Sequence, residues 1–248
     1  MTDFVIEMAG CPIGVSAVFE STKDFCGAYL SDREPAFSVA MTGEDLYREQ
    51  EHSAREDQRE GIPPRRHSPE YLETIALQRK IAEKLIGFHT LLFHGSTVAV
   101  DGACYLFTAK SGTGKSTHTR LWRELLGERA VMVNDDKPFL RVEPGKVTAF
   151  GTPWNGKHHL GCNVAAPLKA ICILERGEEN AICPITPKEA LPMLLQQSHR
   201  PADLRLLGKY LDLLDGLSNG VAFYRLQCNM NPQAAALSYQ VMSGDVKG

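Results

Sequence analysis

Apolar residues alternate with polar and turn-forming residues in three short runs near the start of the chain. Gly10, Pro12, Gly27 and Pro35 separate these runs, as turn residues do between strands. The predicted strands are Phe4–Met8, Gly14–Phe19 and Ala36–Met41. Residues 43–67 are dominated by Glu, Arg, Gln and Asp instead, which is typical of a solvated helix or a mobile linker, with a docking surface as the alternative. We therefore predict a small β-rich N-terminal portion with a charged linker over residues 1–67.

Residues 68–248 show the mixed periodicities of an α/β domain. Ser68-Pro69 predicts a helix start, with Ser as the cap, and the apolar positions that follow have helical spacing. Asp101-Gly102 and Pro144-Gly145 each predict a hairpin turn between apolar runs. The flanking runs are Leu91–Val100, Ala103–Thr108, Phe139–Val142 and Val147–Phe150. Because a hairpin pairs its strands antiparallel, we expect a mixed sheet.

The rest of the chain predicts further strands and helices around that sheet. Thr186-Pro-Lys-Glu189 is a capping box that opens a helix ending near Arg200-Pro201. The remaining predicted elements are strands at Ala130–Val133, Leu168–Leu174 and Val221–Cys228, an amphipathic helix over Leu204–Leu214, and a final helix from Asn231-Pro232 to Val241.

The segment Ala109-Lys-Ser-Gly-Thr-Gly-Lys-Ser-Thr117 joins a predicted strand to a predicted helix. It matches the pattern G-x-x-x-x-G-K-[ST] apart from Ala109 at the first position. Gly112 and Gly114 can take positive φ, so successive N–H groups can surround an anion at a helix N-terminus. The segment therefore predicts a loop that binds the phosphates of ATP. The nucleotide-contacting residues are predicted to be Ser111, Gly112, Thr113, Gly114, Lys115, Ser116 and Thr117.

Asp135 and Asp136 end the next predicted strand, only 20 residues after Lys115. Adjacent strand residues point to opposite faces, so the two carboxylates are expected to differ in role. One would hold Mg²⁺ and the other would accept a hydroxyl proton. The alternative is an ordinary Asp-Asp turn before Lys137-Pro138.

His94-Gly95, the hairpin, Lys115-Ser116 and Asp135-Asp136 together resemble the catalytic domain of bacterial HPr kinase/phosphorylase, which shares a phosphate-loop core with phosphoenolpyruvate carboxykinase. The resemblance covers roughly residues 90–200. It implies a mixed-sheet α/β fold of that type with flanking helices. By this resemblance Asp135 is the catalytic base, Ser116 and Asp136 hold magnesium, Lys115 clamps the phosphates, and His94 lies near the transferred group.

Two further segments supply candidate site residues. The loop Gly151–Gly161 carries Trp154, a flat apolar surface, and Lys157, a cation, which are expected to contact the acceptor, although an ordinary surface loop is the alternative. Arg200 could stabilise the transferring phosphoryl group, or it could counter the dipole at its helix C-terminus.

The expected function is an ATP- and Mg²⁺-dependent kinase that phosphorylates a hydroxyl, with a serine in a protein, a peptide or a small molecule as the favoured acceptor. The alternatives are an NTP-hydrolysing switch and a nucleotide-binding module without an acceptor. Pyrophosphate could replace ATP as the donor. A homo-oligomer is compatible with the sequence.

The composition of the chain bears on its expected partners and compartment. The net charge is −3 and 43% of residues are hydrophobic, so nothing favours nucleic acid or an anionic membrane as a partner. The N-terminus lacks the features of a signal peptide, and no apolar run is long enough to span a bilayer. Seven cysteines without a Cys-x-x-Cys pair favour reduced thiols and a cytoplasmic protein.

Overall fold

A computed structural model describes residues 1–59 and 61–244 of the chain. The chain divides into two compact units, Met1–Lys84 and Leu85–Gly248. Each unit has its own sheet. The candidate site lies wholly in the second unit.

The first unit contains a three-stranded sheet and three helices. Its strands are β1 (Thr2–Met8), β2 (Cys11–Ala17) and β3 (Phe37–Ala40), and its helices are α1 (Ser21–Phe25), α2 (Gly43–Arg59) and α3 (Pro69–Ile86), whose last two residues belong to the second unit. β1 pairs antiparallel with β2, and β2 pairs parallel with β3. β1 and β3 lie where the apolar runs predict them, whereas β2 starts three residues before the predicted run and includes Pro12, which was predicted to lie in a turn.

The charged segment forms the helix α2, and two of its acids are buried. Glu49 is 7% exposed and pairs with Arg79, while Asp57 is 2% exposed and pairs with Arg65. A buried carboxylate requires such a partner, since an unpaired charge would carry a large desolvation cost. Part of the charge of this segment therefore serves internal ion pairs rather than solvation.

The second unit is built on a larger mixed sheet. Its strands are β4 (Thr90–Leu92), β5 (Ser96–Val100), β6 (Ala103–Thr108), β7 (Ala130–Asn134), β8 (Phe139–Glu143), β9 (Lys146–Phe150), β10 (Ala165–Arg176), β11 (Ala181–Pro184) and β12 (Ala222–Cys228). Its helices are α4 (Lys115–Leu126), α5 (Pro187–Gln197), α6 (Leu207–Gly220) and α7 (Gln233–Ser243). Short 3₁₀ turns occupy Gly27–Tyr29, Gly127–Arg129 and Leu204–Leu206.

The long strand β10 connects the two parts of this sheet. Its first residues pair antiparallel with β9, which leads on to β8 and β4. Its later residues pair in parallel with β6 on one side and β12 on the other. β5 then pairs antiparallel with both β6 and β7, so β6, β7, β10 and β12 all run in the same direction. The expected mixed sheet is confirmed.

Helices cover both faces of the sheet, and strand alternation divides the core accordingly. In β6, Tyr105 and Phe107 lie in one apolar cluster with Leu121 and Trp122 of α4. Cys104 and Leu106 belong to a second cluster, together with residues of α5 and α6. A strand that is buried on both faces is expected to be largely apolar, as β6 is from Ala103 to Phe107.

The predicted single run Leu91–Val100 is wrong, because the structure breaks it into β4 and β5. Between the two strands, the His94 N–H donates to the Gln197 carbonyl at 2.7 Å and the Gly95 N–H donates to the Asp136 carbonyl at 3.0 Å. A side chain on Gly95 would collide with Leu106. This break turns His94 out of the ladder, toward the candidate site.

Candidate functional site

The candidate site lies at the edge of the sheet where the parallel strands end. β6 is followed by the glycine-rich loop, β7 by the acidic pair, and β10 and β12 by short loops at Gly177 and Asn229. β5 runs the opposite way, so its start, next to His94 and Gly95, lies at the same edge. In open α/β sheets, ligands bind beyond the carboxyl ends of the strands.

The glycine-rich loop has the backbone conformation that the sequence predicts. Gly112 has φ of 74° and Gly114 has φ of 118°, both in the region that favours glycine. α4 begins immediately afterwards at Lys115, so its unpaired N–H groups and positive dipole end face this loop. Arg176, at the end of β10, donates a hydrogen bond to the Gly112 carbonyl at 2.6 Å. The loop is therefore tied to the neighbouring strand.

Lys115, His94 and Asp136 come together beside this loop. Lys115 is 9% exposed, and its ammonium donates to the Ala109 carbonyl at 3.2 Å. His94 Nε2 lies 3.2 Å from Asp136 Oδ1. The Thr108 hydroxyl donates to the His94 carbonyl at 3.0 Å, which ties the histidine segment to the end of β6.

Burial and neighbouring charges shift the pKa values of all three groups. The hydrogen bond with Asp136 acts to raise the pKa of His94, but burial and the charges of Lys137 and Lys115 outweigh it, so the pKa lies below its ordinary value. Burial acts to raise the pKa of Asp136, whereas His94, Lys137 and Lys115 together lower it. Burial lowers the pKa of Lys115, and the charge of Asp136 opposes this. At neutral pH, His94 is therefore neutral and donates a hydrogen bond to an ionised Asp136.

Asp135 has different partners from Asp136, as expected for adjacent residues at a strand end. Its carboxylate is 5% exposed and accepts a hydrogen bond from the Gly156 N–H. A side chain on Gly156 would lie 2.7 Å from Asp135 Oδ2, so glycine allows the loop backbone to reach the carboxylate. The loop after β9 thus holds Asp135 in place.

Asn134 is a positioning residue that the sequence analysis missed. Its Oδ1 accepts from the N–H groups of Asp136 and Lys137 at 2.8 and 2.6 Å. Its Nδ2 donates to the carbonyls of Thr152 and Trp154 at 3.1 and 3.3 Å. The side chain is fully buried. The one feature of the sequence that indicates this role is that an Asn side chain commonly forms a hydrogen bond with the backbone two residues ahead.

Replacing Asn134 with alanine is expected to lower the free energy of unfolding by about 2–4 kcal/mol. The substitution leaves two N–H groups and two carbonyls of the site without their partner. Urea denaturation measures the loss. The matched control is Asn219→Ala on the exposed face of α6, which should change stability by less than about 0.5 kcal/mol. Equal stabilities of the two variants would contradict the role given to Asn134.

A pocket of about 480 Å³ opens on one side of the glycine-rich loop. We call it the loop pocket. Its walls come from the loop, from α4 and from the ends of β10 and β12, and it is lined by Gly112, Thr113, Gly114, Thr117, His118, Leu121, Leu174, Arg176, Gly177, Cys228, Asn229 and Met230. The size and the partly apolar walls suit a nucleotide-sized molecule. Arg176 and Asn229, which line it, were not predicted from the sequence.

A second pocket, of about 380 Å³, lies on the other side of α4, and we call it the Asp135 pocket. It is lined by Ser116, Thr117, Thr119, Arg120, Arg123, Met132, Asp135, His158 and Leu160. Ser116 and Asp135 were predicted as site residues, whereas Arg120 and Arg123 were not. The spacing of Ser116, Arg120 and Arg123 along α4 was the available signal, because it places them on one helix face.

The remaining predicted site residues differ in their exposure to solvent. Ser111 and Lys157 are exposed. Trp154 is 4% exposed and packs edge-on against Phe139, with ring centroids 6.4 Å apart. Arg200 is exposed, two residues after Ser198, which bridges to Phe93. The acceptor contacts of Trp154 and Lys157 and the catalytic role of Arg200 stay predictions.

Two general properties of the described residues bear on the site. Within residues 1–59 and 61–244, no helix has the length and apolarity needed to cross a membrane. In the same residues, no group of three or more His, Cys, Asp or Glu side chains is arranged to hold a metal ion. None of the seven cysteines forms a disulfide in the described part of the chain: Cys11, Cys26, Cys104 and Cys172 are buried, whereas Cys162 and Cys183 are exposed.

The fold is that of an α/β protein with a mixed sheet. Its candidate site, at the edge where the parallel strands end, combines a glycine-rich loop with a pair of acidic residues. The chain belongs to the family described as SynChlorMet cassette protein ScmC, whose profile matches residues 66–230. The match includes the glycine-rich loop, both acids and the loop at Gly156.

Among solved structures, the chain is distantly similar to the Hpr(Ser) kinase/phosphatase from Coxiella burnetii. The sequence identity is 10%, the TM-score is 0.37, and the match covers 63% of this chain and 97% of that one. Similarity at this level carries no functional conclusion. A search of curated proteins returned no match.

Proposed function

We propose that the protein is a phosphotransferase that moves the γ-phosphoryl group of ATP to a hydroxyl acceptor. One observation supports the proposal most strongly. A glycine loop with positive φ, a buried lysine and two carboxylates with separate partners all lie at one edge of the sheet. This set of groups meets the main requirements of phosphoryl transfer, which are positioning and neutralisation of charge. The resemblance of the motifs to those of HPr kinase supports the same chemistry.

In the proposed reaction, the loop and the N-terminus of α4 bind the phosphates, and the Lys115 ammonium contacts the β and γ groups. The acceptor oxygen attacks the γ-phosphorus, and the bond from that phosphorus to the β–γ bridging oxygen breaks. The hydroxyl proton passes to the Asp135 carboxylate, and ADP leaves. His94 and Arg200 are proposed to lie near the transferred group.

The hydroxyl and carboxylate oxygens at this edge are of the kind that Mg²⁺ prefers. Magnesium in phosphotransfer sites takes one or two protein oxygens, together with phosphate oxygens and water, so a three-residue metal cluster is not needed. The Ser116 hydroxyl and the Asp136 carboxylate would hold the ion. When bound, the ion would neutralise charge on the β and γ phosphates.

To test the proposal, the protein is incubated with Mg·ATP, with and without a panel of serine peptides and small hydroxyl compounds. The phosphorus-containing products are followed by ³¹P NMR. Transfer predicts a new phosphoester resonance that needs the acceptor. Free phosphate released at the same rate with or without additives would instead indicate an NTP-hydrolysing switch. Tight ATP binding without any turnover would indicate a nucleotide-binding module. Replacing ATP with pyrophosphate tests the alternative donor.

A further inference from the structure

The Asp135 pocket contains more positive charge than a neutral hydroxyl compound would require. Ser116, Arg120 and Arg123 are spaced four and three residues apart on α4, so they lie on the same face of the helix. Asp135 lines the pocket from the end of β7, and His158 lines it from the loop after β9. Two guanidinium groups therefore face one carboxylate and one imidazole.

The two arginines differ in how far they are already neutralised. Arg120 pairs with Glu124 at 2.6 Å, but both side chains are more than half exposed, and such surface pairs are weak because water and salt screen them. Arg123 is half-buried, and it has no ion pair in the part of the chain that the structure describes. A half-buried guanidinium favours an anionic partner, because its planar group of donors matches carboxylate and phosphate oxygens.

The Asp135 pocket is separate from the loop pocket. The loop pocket opens toward β10 and β12, whereas the Asp135 pocket lies between α4, β7 and the loop after β9, and only Thr117 lines both. A nucleotide in the loop pocket would leave the Asp135 pocket for a second molecule. The proposed base, Asp135, faces that second molecule.

We propose that the acceptor is a small hydroxyl compound that carries its own carboxylate or phosphate group, and that Arg123, assisted by Arg120, binds this anionic group. The inference rests on the proposed function, since it names the substrate class of the same site. The volume of about 380 Å³ suits a small metabolite. The anionic group anchors the compound, and its hydroxyl is presented to Asp135.

The test uses three probes of similar size: glycerate, glycerol 3-phosphate and neutral glycerol. Isothermal titration calorimetry measures their binding to the full chain saturated with Mg·AMP-PNP, so that the glycine-rich loop is occupied. We expect glycerate or glycerol 3-phosphate to bind at least tenfold more tightly than glycerol. The stronger of the two identifies the anionic group as a carboxylate or a phosphate. In Arg123→Gln, this preference should fall at least tenfold.

Two control variants separate this result from other anion binding. Lys110→Met removes an exposed cation of the glycine-rich loop, and anion binding in the Asp135 pocket should persist in it under the same conditions. Arg55→Gln removes an exposed arginine of α2 and should change nothing. Equal affinity for all three probes, including no measurable binding of any of them, would overturn the inference. So would unchanged anion binding in Arg123→Gln.

The proposed function fails in a different way. If Mg·AMP-PNP itself does not bind the wild-type chain, the phosphotransferase proposal is lost, and the inference about its acceptor is lost with it. If the nucleotide binds and only neutral acceptors are phosphorylated, the phosphotransferase proposal survives and the anionic acceptor is excluded.

Discussion

Lys115→Met is expected to reduce phosphoryl transfer about 10²- to 10³-fold, which is the usual effect of removing one donor that stabilises transition-state charge. Lys115 is buried beside the glycine-rich loop and donates to the Ala109 carbonyl. Methionine retains most of the aliphatic volume, so packing around α4 should be preserved, but the charge that contacts the phosphates is lost. Steady-state formation of ADP with an acceptor measures the effect, and titration of Mg·ATP measures the loss of affinity.

The matched control for this prediction is Lys110→Met, on the same loop. Lys110 is exposed, so its removal should change the rate less than about threefold. Circular dichroism and thermal melting must show that both variants are folded. Full activity of a folded Lys115→Met protein would contradict the assignment of the glycine-rich loop as the phosphate-binding loop.

Asp135→Asn is expected to reduce the rate of transfer about 10²- to 10⁴-fold, the usual contribution of a general base, while Mg·ATP still binds. The asparagine amide oxygen can accept the hydrogen bond from the Gly156 N–H, so the loop after β9 should stay in place. What the substitution removes is the ability to take the hydroxyl proton. Rapid-quench measurement of the chemical step, together with nucleotide titration, separates these effects.

Asp136→Asn is the informative companion to this variant. The site places Asp136 beside His94 and Lys115, so its loss should weaken the Mg²⁺-dependent affinity for ATP rather than remove the base. If Asp136→Asn instead removes the chemical step and Asp135→Asn weakens binding, the roles of the two carboxylates are exchanged. If neither variant changes the rate, the acids are not part of a transfer site.

Much of the fold could be predicted where local chemistry decides the structure. Asp101-Gly102 forms the predicted hairpin turn, with φ of 49° and 82°. Thr186 forms the predicted capping box with Glu189. Gly112 and Gly114 have the predicted positive φ. In each case two to four neighbouring residues specify the conformation by sterics or by a local hydrogen bond.

Features that depend on distant residues were harder to predict. The break at Gly95 arises from hydrogen bonds to Gln197 and Asp136. Nothing in the run from Leu91 to Val100 identifies these partners. The burial of Trp154 depends on Phe139 and on Asn134, which bonds the backbone of the loop.

The sequence alone determined the kinds of groups available and their local geometry: a glycine loop that can surround an anion, a helix start beside it, and two acids at a strand end. Only the tertiary structure decided which of these groups share a pocket. The sheet brings Asp135 to Gly156 and into one pocket with Arg123, and it brings Asp136 to His94. The physical reason is that local torsions and caps act over a few residues, whereas a pocket is formed by strand pairing and core packing between segments that are far apart in the chain.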